Sequence, residues 1–134
     1  MLSETQTSSL TFTTLQPERM WRFDLADFSY PTVDAFYKQI VALHQAAKGG
    51  QTLLFLIDAS AGATSPYFRQ RLMEVHALAQ TLPCKTSKAI VADEKYSKEL
   101  NVFATLTSMG GGKHRLKIFH DLAEAQTWLE GQLS

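Results

Sequence analysis

Two carboxylates, Asp58 and Asp93, each close a short apolar run, Leu53–Ile57 and Ala89–Ala92. Acids paired at the ends of neighbouring strands are the arrangement that holds Mg²⁺ in phosphoryl-transfer sites. The plainer reading is that each accepts hydrogen bonds from loop N–H groups, with Asp93 as a helix cap. A receiver-type aspartate site also needs acids after the first buried strand and a lysine after the last, and neither stands out. Behind Asp58 runs a loop of small residues, Ala59-Ser60-Ala61-Gly62-Ala63-Thr64-Ser65, which leads into Pro66-Tyr67-Phe68-Arg69. Its hydroxyls, Ser60, Thr64 and Ser65, are candidates for phosphorylation or partner contact, and a phosphate at a helix N-terminus is favoured by the dipole. The competing role for Ser65 is to cap the helix that Pro66 opens.

Other reactive residues are scattered. His44 and His76 fall on separate helical stretches, while His114 and His120 flank the last strand, so no pair has metal-ligand spacing. Cys84 follows Pro83 in a link with no base assigned to it, and its default is an inert thiol. Gly110-Gly111-Gly112-Lys113 has the composition of a phosphate loop, but it joins a helix to a strand, the reverse of the order that chemistry needs. Lys113, Arg115 and Lys117, with His114, make a small basic patch that reads as a solvated edge. No residue is assigned as catalytic, no metal ligand set is proposed and no cofactor is expected.

The elements that must position these residues follow from periodicity. Leu53-Leu54-Phe55-Leu56-Ile57 is unbroken and apolar, as in a strand buried on both faces, and sites in open α/β sheets sit beyond the carboxyl ends of such strands. Upstream, Leu10–Leu15 is β-prone, Gln16-Pro17-Glu18 is a turn, and Met20–Leu25 alternates, so the two strands form an antiparallel hairpin. Val33, Phe36, Tyr37, Ile40, Leu43 and Ala47 have helical spacing, with Thr32 as cap, Asp34 in the first turn and Gly49-Gly50 closing the helix through a left-handed residue. Phe68, Leu72, Val75, Leu78, Ala79 and Leu82 form a second apolar stripe that Pro83 ends. Lys88–Ala92 reads as a strand, and Tyr96, Leu100, Phe103, Ala104 and Leu106 as the apolar side of a third helix. In the last strand Leu116 and Ile118 face one way, and Arg115, Lys117 and Phe119 the other. A capping box at Asp121 and Glu124 then opens a helix carrying Leu122, Ala125, Trp128, Leu129 and Leu133.

The order is β-β-α-β-α-β-α-β-α, an α/β domain with a five-stranded, mostly parallel mixed sheet over residues 10–134, after a polar lead-in over 1–9. Thirteen basic and thirteen acidic residues cancel, which removes the electrostatic case for nucleic acid or an anionic membrane surface. The longest apolar run is far shorter than the ~20 residues of a bilayer span. The polar start lacks a secretory core and the single cysteine fits a reducing compartment, so a cytoplasmic location is expected.

This order, with Leu53–Asp58 at its centre, resembles the STAS superfamily of anti-sigma-factor antagonists. The likeness is closest to an uncharacterised bacterial subgroup in its second half: Ala89-Ile90-Val91-Ala92-Asp93, Lys117-Ile118-Phe119 and Glu124-Ala125-Gln126-Thr127-Trp128-Leu129. The resemblance implies helices mainly on one face of the sheet and a non-enzymatic, regulatory protein–protein interaction domain, with a kinase-like regulator as one partner. In such antagonists a serine in a string close to Asp-Ser-Ser-Gly is phosphorylated after the central strand. Here Ala63-Thr64-Ser65-Pro66 occupies that place without the Asp and Gly. The expected contact surface is Asp58, Ser60, Thr64, Ser65, Tyr67 and Arg69. The alternatives are an apolar small ligand or lipid in a cavity near the second helix, as in relatives of the fold, and the Asp58/Asp93 metal site. A homodimer is compatible with all three.

Overall fold

The computed structural model describes residues 8–108 and 112–132, apart from the side chains of Phe103 and of residues 106–108. Most of the lead-in, Gly110, Gly111, Leu133 and the side chains of Phe103 and Leu106, on which expectations were placed, lie outside the described residues. Five strands form one mixed sheet in the order β1 (Leu10–Gln16), β2 (Met20–Leu25), β3 (Thr52–Ala59), β4 (Lys85–Ala92), β5 (His114–Phe119). β1 and β2 are antiparallel, and the other pairings are parallel. Four helices complete the chain: α1 (Tyr30–Gln45), α2 (Pro66–Ala79), α3 (Lys98–Ser108) and α4 (Leu122–Gly131).

Parallel strands laid down in sequential order by crossovers of one hand put their helices on one side. Trp21, Phe23, Phe55, Ile57 and Ile90 accordingly pack against Phe36 and Ile40 of α1, Phe68 and Leu72 of α2 and Leu100 of α3. Alternation sends Met20, Leu54, Leu56, Ala89 and Val91 to the other face, where α4 covers them with Ala125 and Leu129. Residues 53–57 are thus 0–1% exposed because both faces of β3 are covered, as the unbroken apolar run required. Away from Met20, the second face of the hairpin is more open, with Thr11 and Thr13 of β1 exposed and, on β2, half-buried Arg22 holding Asp24 at 2.9 Å.

Several local expectations shift. α1 begins at Tyr30 with Ser29 as its cap residue, not at Thr32. Thr32 is buried and its Oγ1 instead accepts the Ser9 N–H at 2.9 Å, pinning the start of β1. Asp34 therefore lies outside the first turn and is free to face α2. The left-handed residue is Gly50 (φ 81°), but α1 has already ended at Gln45, so it turns the connection into β3 rather than closing the helix. β4 starts at Lys85, three residues before the Lys88 start expected from sequence. Tyr96 belongs to a separate 3-10 turn, Glu94–Tyr96, and is 38% exposed rather than part of α3's apolar side.

Candidate functional site

Both α1 and α2 start at the carboxyl ends of the parallel strands, so this rim gathers the loop after β3 and two helix N-termini. Ser65 Oγ accepts the Phe68 N–H at 3.1 Å, capping α2, and donates to the Phe28 carbonyl at 3.3 Å, tying the loops after β2 and β3 together. Thr64 is 7% exposed, and Arg69 Nη1 clamps its carbonyl (2.7 Å) and its hydroxyl (3.0 Å). Two of the expected acceptor hydroxyls are thus consumed in holding the loop. Ser60 stays exposed, with its Oγ donating to Asp58 Oδ1 at 2.6 Å. Replacing Ser65 with Ala should cost about 1 kcal/mol of stability through the lost cap, read as a lower urea midpoint with unchanged slope.

The rest of this rim is aromatic. Tyr30, 68% exposed, sets its ring edge against Tyr67 with centroids 4.7 Å apart. The Tyr67 hydroxyl donates to Asp34, which raises the phenol's pKa, and it accepts from Arg71 Nε at 3.1 Å. Arg71 lies over the Tyr37 ring at 4.2 Å and pairs with Glu74 at 2.7 Å; that pairing raises the guanidinium and lowers the carboxyl. Tyr67 is therefore held in place by Asp34 and Arg71. Tyr30 lies outside the contact surface expected from sequence, although Tyr30-Pro31 opens its helix much as Pro66-Tyr67 opens the next.

The two aspartates follow their plainer reading. Asp58 Oδ1 also accepts the Ser60 N–H at 3.1 Å, and Asp93 Oδ1 accepts the Lys95 N–H at 2.9 Å, capping the 3-10 turn. Among the described residues no three His, Cys, Asp or Glu side chains are gathered as metal ligands. Phe68, Leu72 and Val75 of α2 are packed to 0–1% exposure. A broad concavity of about 920 Å³ opens at the amino ends of the strands, lined by Arg19, Trp21, Leu43, Lys48, Gly49 and Gln51 among others, none of them in α2.

A second polar constellation lies inside the helix-covered core. Lys88 is 1% exposed, and its Nζ sits 5.5 Å from the Phe55 ring centre and donates to Thr86 Oγ1 at 3.2 Å. Thr86 Oγ1 is in turn 2.9 Å from His114 Nδ1. Thr86 Oγ1 thus accepts from Lys88 and shares one further hydrogen bond with His114 Nδ1, whose direction follows the imidazole tautomer. His44 stacks on Phe55 (4.9 Å, 9°) and donates Nδ1–H to the Ile40 carbonyl at 2.8 Å, which leaves a buried Nε2 with no partner. Burial, then the Lys88 charge, pushes His44 down to about 3 and His114 down to about 4, while burial pushes Lys88 down to about 7. His76 is lowered by the same two causes, and the buried Cys84 favours the charged form of Lys88.

The histidines called scattered from sequence are therefore partly collected, around a lysine that drew no attention. Even spacing from Ile90 and Ala92 was the available signal, because it puts Lys88 on the core-facing side of β4. No family model, curated protein or solved structure matches the chain.

Proposed function

We propose that this domain is a STAS-like regulatory module that binds a protein partner at the carboxyl rim of its sheet and catalyses no reaction. The observation that carries the reading is the Tyr30–Tyr67 pair, an exposed aromatic step whose inner ring is fixed by Asp34 and Arg71. Tyrosines of this kind dominate binding energy because they bury much area at little entropic cost. The exposed Ser60-Ala61 loop tip extends the same surface, and Arg69 and Thr64 keep its base rigid. The sequential sheet with α1, α2 and α3 on one face supports the likeness, and the spent hydroxyls of Ser65 and Thr64 favour binding that does not wait on their phosphorylation.

The test is crosslinking with mass spectrometry on the wild type, followed by titration of the captured protein. Tyr30→Ala with Tyr67→Ala should weaken that complex about thirtyfold or more. Lys48→Ala, at the opposite end, should leave it unchanged. A partner held equally well by the double variant, or a small molecule released on denaturing the purified protein in place of any protein partner, would overturn the reading.

A further inference from the structure

The two margins of the sheet are built differently. β5 ends one side, and its exposed residues Arg115 and Lys117, with Lys113 just before it, are all basic. Pairing that edge with its own copy would set cation against cation. β1 ends the other side, and from Ser8 to Gln16 it has no charged residue and no proline. Edge strands are normally guarded by such residues, and here the β-bulge lies only at the far end, between Thr14 and Gln16.

The backbone direction along β1 is determined. The Ser9 carbonyl accepts the Ala26 N–H at 3.1 Å, so Ser9 points toward the β2 side. Direction alternates residue by residue in an antiparallel strand, so the N–H and C=O of Leu10, Phe12 and Thr14 point away from β2. Among the described residues the Leu10 N–H meets only the neighbouring Ser8 hydroxyl, at 3.3 Å. Phe12 packs against Phe23 at 5.1 Å on the core face yet remains 36% exposed at the margin.

We infer that β1 is a self-pairing edge: a second copy of this chain adds antiparallel to it about a two-fold axis at Phe12, extending the sheet across both molecules. Phe12 then faces Phe12 of the other copy, Leu10 faces Thr14, and each of these pairs exchanges backbone hydrogen bonds. The two-fold keeps faces matched, so the exposed half of each Phe12 ring is covered by its counterpart. On the opposite face Thr11 of one copy sits beside Thr13 of the other. An uncharged strand suits this arrangement, since a two-fold sets each charge beside residues of an identical segment. This surface is separate from the carboxyl rim and does not depend on the role given to that rim.

The register makes the experiment specific. Sedimentation equilibrium of the wild type at micromolar concentrations should show a reversible dimer. Thr11→Lys with Thr13→Lys places like charges across the axis twice and should weaken dimerisation about tenfold or more. Thr11→Lys with Thr13→Glu places opposite charges across it and should leave the dimer at least as tight as in the wild type. Both positions are exposed, and circular dichroism with urea unfolding confirms that each variant is folded. A monomeric wild type, a dimer insensitive to the double lysine variant, or equal loss in both variants would overturn the inference.

Discussion

Replacing Lys88 with Met should stabilise the protein by about 3 kcal/mol near pH 6.5, an unusual direction for a change in a core. Burial lowers the ammonium from 10.5 to about 7, a difference worth roughly 5 kcal/mol at about 1.4 kcal/mol per pKa unit. Part of that gain is offset by losing the Thr86 hydrogen bond and the contact with the Phe55 ring. Thr86 keeps its bond to His114, so the substitution leaves no new orphan. The pH dependence identifies the cause. Below pH 7 the lysine is charged in both folded and unfolded chains and the full cost is present. Between pH 7 and 10.5 only the unfolded chain binds the proton, so wild-type stability rises with pH. Above 10.5 neither does, and the advantage of the methionine variant should vanish. Urea midpoints at pH 6.5 and 10.5 measure both points, and a variant less stable than wild type at pH 6.5 would show that the ammonium is better compensated than its surroundings indicate.

The second large effect is loss of stability in acid. His44 remains neutral in the folded protein down to about pH 3, whereas the unfolded chain protonates it near 6.5. Between those values the unfolded state binds the extra proton, so stability falls as pH falls, by about 1.4 kcal/mol per pH unit and about 5 kcal/mol across the window. His114, lowered to about 4, adds to the same trend. His44→Phe retains stacking on Phe55 and removes the unpaired Nε2, and should flatten the acid slope by about 1.4 kcal/mol per unit. An imidazole NMR resonance of His44 that titrates near 6.5 in the folded protein would contradict this. Since the Lys88 charge contributes to the lowering, the same resonance should titrate at higher pH in the Lys88→Met variant.

These two results concern residues whose placement only the tertiary structure decided. Lys88 is on β4, His44 near the end of α1 and His114 at the start of β5, and no short-range pattern links them. They meet because Lys88 pairs in register with Phe55, on whose ring His44 stacks, and because Thr86 pairs with His114 across the next ladder. Register and crossover direction are properties of the whole sheet. The Tyr30–Tyr67 step has the same origin, since each tyrosine is local to its own helix start and the contact exists only because both helices begin at one rim.

What the chain's own order determined is what depends on neighbours in sequence. The apolar run Leu53–Ile57 demanded cover on both faces, the alternation of Trp21, Phe23 and Leu25 demanded one buried face, and Ser65-Pro66 and Asp121 specified where two helices begin. Side-chain period and capping geometry act within a few residues, so they can be read along the chain. Thr32 misled because its hydroxyl is taken by Ser9, 23 residues away, and the edge of β1 stood out only once the sheet order placed it outermost among the described strands. Long-range hydrogen bonds, strand register and the identity of the outer strands arise from closing the sheet, and no local pattern encodes them.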